Sequence, residues 1–158
     1  MSARVGIGYD SHRLAEGRPL IIGGVQIPFE RGLDGHSDAD VLAHAVTDAI
    51  LGAAGAGDIG SHFPPTDERW RDADSIALLE AVVELIGGRV VNVDATVICE
   101  RPPIGPHRAA IEAKLSAAVG APVSVKATTN EGLGAIGREE GIAAIAVASF
   151  EPDDDTDR

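Results

Sequence analysis

Apolar positions recur with two different periods along this chain, and the switches between them lay out its elements. Arg4 to Tyr9 reads as a strand, and Leu20-Ile21-Ile22 and Val25-Gln26-Ile27 flank Gly23-Gly24 in the manner of a hairpin, with Pro28 stopping the second arm. Gly32 to Gly35 reads as a loop. The period then changes. Val41, Leu42, Ala45, Val46, Ala49, Ile50 and Ala53 form one stripe at helical spacing, with Ser37 as a candidate N-cap and Gly55 and Gly57 as the stop. Asp38 and Asp40 would favour the positive end of that helix dipole.

Asp58 to Asp74 is a long connection containing Gly60, Pro64 and Pro65, and connections of that length are usually functional or mobile. A second helix is predicted over Ser75 to Ile86, stopped by Gly87-Gly88, then a strand over Val90 to Cys99. Pro102-Pro103 and Gly105-Pro106 make a stiff turn before a third helix over Arg108 to Val119, ended by Gly120. Val123 to Thr128 and Gly141 to Phe150 complete the strands. Ile142 to Ala148 is apolar on both faces, which predicts a strand covered on both sides, at a subunit interface. This order predicts an α+β fold, an α/β sandwich: a mixed sheet, three helices packed on one side, and a β-hairpin. Residues 1–150 read as a single domain without repeat or linker, and 151–158 as a disordered acidic tail.

Composition narrows the chemistry. Of 158 residues 44% are hydrophobic but only 3% aromatic, so the core must be built from Ala, Val, Ile and Leu. Small side chains bury little area each, which makes oligomerisation a natural way to add burial. A formal net charge of -12 argues against nucleic acid or an anionic membrane as partner, and a phosphorylated ligand would need local cations. The single cysteine, Cys99, rules out an intramolecular disulfide, and no stretch reads as a signal peptide or membrane span, so a cytoplasmic location is expected.

Five histidines supply the candidate chemistry. In Gly6-Ile7-Gly8-Tyr9-Asp10-Ser11-His12, alternation puts Asp10 and His12 on one face of a strand, and the glycines would leave room for a ligand. His44 shares a helix face with Asp40 and Asp48, either of which could hold its imidazole in the right tautomer. Asp10, His12 and His44 would then bind a metal with a fourth position open, the pattern of catalytic zinc. The plainer alternative is a satisfied helix histidine and a turn aspartate. His36 and Ser37 precede a helix N-terminus, where free N–H groups attract anions. Asp58, Ile59 and Gly60, with Phe63 to Asp67, offer carboxylates for sugar hydroxyls, or are ordinary loop polarity. Lys126 to Glu131 end a strand with hydroxyls, a cation and a carboxylate, which suits a phosphate and a hard cation. Gly132 to Gly137 matches G-x-G-x-x-G but lacks the strand-then-helix setting of a dinucleotide site.

Taken together these blocks resemble the 2-C-methyl-D-erythritol 2,4-cyclodiphosphate synthase family over essentially Arg4 to Ser149. The blocks are His36-Ser-Asp-Ala-Asp-Val-Leu-Ala-His44 running on through Asp48, Gly52, Asp58-Ile-Gly60 and Phe63-Pro-Pro-Thr-Asp67; Gly6-x-Gly-Tyr-Asp-x-His12; and Val125-Lys-Ala-Thr-Thr-Asn-Glu131 with Gly137-Arg138 and Glu140-Gly141. The resemblance implies a homotrimer with sites between neighbouring subunits. It implies cyclisation of 4-diphosphocytidyl-2-C-methyl-D-erythritol 2-phosphate to the 2,4-cyclodiphosphate with release of CMP, in non-mevalonate isoprenoid biosynthesis. Asp10, His12 and His44 match the zinc ligands. His36 and Thr129 match the transition-state stabilisers, and Glu131 the ligand of a second ion, Mg²⁺ or Mn²⁺. His36, Ser37, Asp58, Ile59, Gly60, Phe63, Pro64, Pro65, Thr66 and Asp67 match the erythritol-phosphate side, with Ser11 between the first two metal ligands. Cys99, Glu100, Arg101, Pro102, Pro103, Ile104 and Gly105, with Thr128, Thr129 and Asn130, match the cytidine side.

Two positions depart from the family. It often carries Lys where Pro103 stands and an aromatic where Ala135 stands. Ala135 would widen the opening at the trimer axis, where some relatives bind an isoprenoid diphosphate through the residue matching Arg138. Two other readings remain open at this point: a zinc-dependent phosphohydrolase using metal-bound water, and a trimeric small-molecule binding protein with a structural metal.

Overall fold

A computed structural model describes residues 2–154. In chain order the elements are β1 (Arg4–Ala15), β2 (Leu20–Ile22), β3 (Val25–Ile27), β4 (Gly32–Leu33), α1 (Val41–Ala54), α2 (Ile59–His62), α3 (Ser75–Leu85), β5 (Gly88–Ile98), α4 (Arg108–Val119), β6 (Val123–Thr128), α5 (Gly134–Gly137) and β7 (Gly141–Pro152). Short 3-10 turns occupy Glu68–Trp70 and Gly105–His107. Five strands form one mixed sheet in the order β4-β1-β7-β5-β6, and β2 and β3 pair as a separate hairpin. Only β5 and β6 run parallel; the other neighbours are antiparallel. Helix α1 lies against β1 and β7, α3 packs on α1, and α4 packs on α3 and β6, as the α+β expectation required.

Several boundaries differ from those the periodicity predicts, each for a tertiary reason. Strand β1 continues through the polar run to Ala15 because β7 pairs with it from Arg4↔Phe150 to Arg13↔Gly141. Cross-strand partners, not local propensity, carry Asp10 and His12 into the strand. Gly32-Leu33 is not loop but a short edge strand paired with Leu14 and Ala15. The N-cap of α1 is Asp40 rather than Ser37, and the long connection is partly folded into α2 and a 3-10 turn. Glu151 and Pro152, expected to open a disordered tail, belong instead to β7, and the Asp153 N–H reaches the Gly87 carbonyl at 3.0 Å. Asp155 to Arg158 lie outside the described residues.

The inner face of the sheet is made of very small residues where α1 crosses it. Ala144, Ala146 and Ala148 of β7 are fully buried there, opposite Ala45 and Ala49 of the helix. Gly6 and Gly8 of β1 share this face. A Cβ on Gly8 would stand 1.9 Å from the Ala45 carbonyl oxygen, and one on Gly6 2.1 Å from that of Ala49. These glycines therefore clear space for the helix backbone, which corrects the expectation that they clear space for a ligand. Away from this crossing Leu, Ile and Val fill the core, and Phe150 is the lone aromatic among the largest fully buried side chains.

The outer face of the same sheet is exposed in a single chain. Val5, Ile7 and Tyr9 are 69%, 70% and 59% accessible, and Ile145 and Val147 of the neighbouring β7 join them. Ile7 pairs with Val147 and Tyr9 with Ile145, so these side chains form one patch.

Gly8→Ala forces α1 off β1 and costs about 3 kcal/mol, at the upper end of ordinary overpacking penalties. Gly52→Ala on the same helix meets nothing closer than 3.8 Å and stays within about 1 kcal/mol of wild type. Denaturant melts of the two variants check the contrast.

Candidate metal centre and adjoining pocket

Asp10 and His12 project inward from β1 toward the first turn of α1, where His44 stands. The Asp10 Oδ2 atom lies 2.8 Å from His12 Nε2 and 3.1 Å from His44 Nδ1, and the two ring nitrogens are 3.3 Å apart. These three side chains form the one group among the described residues that can offer ligand atoms to a single ion. Their outer atoms are already occupied. His12 Nδ1–H donates to the Asp34 carbonyl at 2.9 Å, which leaves Nε2 as a lone pair. His44 Nε2 meets the Ser75 hydroxyl at 2.7 Å, and the Ser37 hydroxyl at 3.3 Å.

Electrostatics agree with this geometry. Burial would raise the Asp10 pKa, but the hydrogen bonds and charges of His12 and His44 outweigh it, and the carboxyl is held below its ordinary value. Burial would lower the His12 pKa, yet the Asp10 hydrogen bond and charge and the Asp34 carbonyl together raise it. The site therefore favours positive charge between the three groups. Two imidazole nitrogens and one carboxylate oxygen suit zinc or a similar divalent ion, and leave room for further coordination.

The carboxylates expected to orient His44 are engaged elsewhere. Asp40 is buried and caps α1, accepting the Ala43 N–H at 3.0 Å and, from the hairpin turn, the N–H groups of Gly23 at 2.8 Å and Gly24 at 2.7 Å. Asp48 accepts the Ile59 N–H at 2.7 Å and so holds the start of α2. Ser75, which does meet His44, lies 31 residues away at the start of α3 and carried no signal in the sequence beyond a helix boundary.

Beside the triad is a cavity of about 210 Å³ lined by His12, His36, Ser37, His44, Ile59, Gly60, Phe63, Pro65, Trp70 and Leu78. The His36 ring is oriented by Nε2–H donating to the Asp67 carbonyl at 3.0 Å. Asp58 caps α2 through Ser61, and Asp67 caps the following 3-10 turn and pairs with Arg69 at 2.7 Å. Pro64 and Thr66 sit in the same connection without lining the cavity, while Trp70 and Leu78 line it unforeseen. The Trp70 Nε1–H is buried without a protein partner. Ser11 points from β1 to the opposite, exposed face.

The remaining candidates are at the other edge of the sheet. Cys99 N–H donates to the Thr128 carbonyl at 2.9 Å, which joins the 99–105 turn to the end of β6. Glu100 accepts the N–H groups of Asn130 at 2.8 Å and Gly132 at 3.2 Å, and Thr129 Oγ1 accepts that of Glu131 at 3.2 Å. Arg101 pairs with Glu139 at 2.8 Å and stacks on Phe29. Pro102 and Ile104 are buried beneath Pro103 and Gly105, while Ala135 and Arg138 are exposed, the latter paired with Glu140 at 2.8 Å. Burial first, then the Glu100 and Glu139 charges, push the Cys99 thiol up to about 12, so it is no nucleophile. Strands β7 and β5 separate β1 from β6, a spacing of about 14 Å across three strand intervals. A single chain thus holds the expected site as two separate halves.

The fold and the three converging side chains define a protein of the α/β-sandwich type with a group able to hold a divalent ion beside a pocket. Residues 3–151 match the YgbB family, and the chain belongs to it. It is 62% identical over 156 residues to the 2-C-methyl-D-erythritol 2,4-cyclodiphosphate synthase of Rubrobacter xylanophilus, covering 94% of each chain. It is 58% identical over 154 residues to that of Salinibacter ruber, covering 94% of this chain and 98% of the relative. The solved structure of a 2C-methyl-D-erythritol-2,4-cyclodiphosphate synthase in a CDP-bound form superposes with a TM-score of 0.85 at 40% identity, covering 94% of this chain and all of that one.

Burial, opposed by the three backbone N–H groups and reinforced by Asp38, raises the Asp40 pKa from 3.8 to about 6. The folded state then binds this proton more tightly than the unfolded state. The resulting stabilisation is complete below pH 3.8 and is lost as pH rises through about 6. The stability difference between wild type and Asp40→Asn should accordingly shrink by a few kcal/mol from acid to neutral pH and level off above pH 7. Urea melts at each pH read it directly.

Proposed function

We propose that this chain is a phosphorus–oxygen lyase that converts 4-diphosphocytidyl-2-C-methyl-D-erythritol 2-phosphate to 2-C-methyl-D-erythritol 2,4-cyclodiphosphate and CMP, in non-mevalonate isoprenoid precursor biosynthesis. The observation that carries this reading is the meeting of Asp10, His12 and His44 at one point beside the pocket. Membership of the YgbB family and the names of the relatives support it.

Asp10, His12 and His44 would hold a divalent ion, with zinc the best match to two nitrogens and one oxygen. Such an ion supplies Lewis-acid polarisation of a diphosphate and neutralises its charge. The nucleophile belongs to the substrate: an oxygen of its 2-phosphate attacks the β-phosphorus, the bond to the bridging oxygen breaks, and CMP departs with that oxygen. The protein need only position and neutralise. His36, oriented by the Asp67 carbonyl, and Ser37 face the erythritol-phosphate end. Ile59, Gly60, Phe63, Pro65 and Trp70 would form the walls around it. Thr129 and Glu131 would serve the diphosphate at the strand end, the carboxylate with Mg²⁺ or Mn²⁺. The turn from Cys99 to Gly105 would face cytidine, and a structure of a relative with CDP bound supports a nucleotide-linked substrate.

The two halves of this site come together if the chain assembles as a homotrimer, the 99–105 and 128–131 group of one subunit meeting the triad of the next. The exposed patch of Val5, Ile7, Tyr9, Ile145 and Val147 supports such an assembly, because an apolar sheet face of this kind is normally covered. Among the described residues no helix is long and apolar enough to cross a membrane, and the proposed location is the cytoplasm.

Incubation with the substrate should give cyclic diphosphate and CMP; simple hydrolysis products would make the chain a phosphohydrolase and overturn the reading. His44→Ala should lower turnover by at least about a thousandfold, the scale of losing a main electrostatic stabiliser, while the assembly survives. Ile7→Asp should dissociate the assembly in sedimentation experiments, and a trimer of unchanged stability would remove the outer face of the sheet from the interface.

A further inference from the structure

We propose that Ser75 and Asp38 are positioning residues for the metal centre: together they lock the His44 proton on Nε2 and so present Nδ1 to the ion as a lone pair. The argument is one of donors and acceptors. Asp38 accepts from three groups, the Ser75 N–H at 3.0 Å, the Asp40 N–H at 3.1 Å and the Ser75 hydroxyl. A carboxylate held by three donors has no hydrogen to give, so the Ser75 O–H must be the donor in that contact. The hydroxyl oxygen is then left with lone pairs only, and it lies 2.7 Å from His44 Nε2. Nε2 must supply the hydrogen. The neutral imidazole has one N–H, and Nδ1, 3.1 Å from Asp10 and 3.3 Å from His12, is free to ligate.

The carboxylate is as necessary as the hydroxyl. A serine with nothing behind it can rotate and donate to Nε2, which would drive the proton onto Nδ1 and block the ion. Ser75 is 1% accessible, so water cannot readily substitute for Asp38. The second hydroxyl near Nε2, that of Ser37, lies farther away at 3.3 Å and already accepts the Ala39 N–H. The Asp40 and Asp48 carboxylates share the helix face with His44 but bind backbone N–H groups instead. The arrangement also ties the end of the pocket wall to the imidazole. The Asp38 N–H donates to the Ala73 carbonyl at 3.1 Å and the Asp72 N–H to the His36 carbonyl at 2.8 Å, so the 36–38 and 72–75 segments are held together.

The role rests on the metal reading of Asp10, His12 and His44, and the test separates the two. Zinc affinity of the purified assembly is measured by competition with a chromogenic chelator for wild type, Ser75→Ala and Asp38→Asn. Thermal midpoints are recorded with and without zinc. Losing an outer partner of a metal-bound histidine typically costs about 10- to 100-fold in metal affinity, and both variants should fall in that range. The rise in midpoint on adding zinc should shrink for each, and excess zinc should recover part of the Ser75→Ala turnover. A Ser75→Ala protein with wild-type zinc affinity overturns the positioning role. So does one whose midpoint drops equally with and without zinc, because that is a packing loss alone. Wild-type protein that takes up no zinc overturns the metal reading and this role with it.

Discussion

The structure depends on a contact made possible by side chains that are missing. Gly6 and Gly8 carry no Cβ, and the backbone of α1 occupies the space. A strand and a helix usually stand about 10 Å apart, separated by a layer of larger side chains. Here alanines and glycines replace that layer. Close approach brings the first turn of α1 down onto β1, and His44 arrives within hydrogen-bonding distance of an aspartate two residues beyond the second glycine. The same close fit explains how a chain with so few aromatics closes its core. Dispersion between tightly approached small groups substitutes for the bulk of large ones.

Charge is arranged in the opposite spirit. Where packing is tight, acceptors are brought together without donors between them. Asp10, the bare nitrogen of His12 and that of His44 face one another. Left alone this is unfavourable, and the raised His12 and lowered Asp10 show the local field asking for a positive charge. A chain of net charge -12 that handles phosphorylated molecules needs local cations, and three acceptors around one point offer a place to hold one without a lysine or arginine. The buried Asp40 works differently. It spends its acceptor capacity on backbone N–H groups from two elements, so the start of α1 and the turn of the hairpin are fixed by one carboxylate.

Much of this was legible in residue order. Alternation placed Asp10 and His12 on one face, and the helical stripe from Val41 to Ala53 placed His44 at a helix start. What periodicity does not encode is which surface meets which. Gly6 and Gly8 read equally well as clearance for a ligand, because a missing side chain does not say what fills the gap. Ser37 looked like the cap, but capping follows the backbone angles at Asp40 and the hairpin donors beyond it. Asp40 and Asp48 were the natural partners for His44 by spacing, while the actual partner comes from α3, a contact of the folded chain alone. The motifs on β1, α1 and β6 were correctly matched as blocks. Their separation across the sheet is not encoded in periodicity or spacing; only the family resemblance implied a site shared between neighbouring subunits.

The one thiol of the chain adds a last consequence. Cys99 lies at the end of β5, its S–H donating to the Arg101 carbonyl and its ionisation suppressed first by burial and then by the Glu100 and Glu139 charges. Peroxide and alkylating reagents attack the ionised, accessible form of sulfur. The folded chain offers them almost none of it, so this thiol is sheltered from such reagents even though it sits in the turn expected to face the nucleotide.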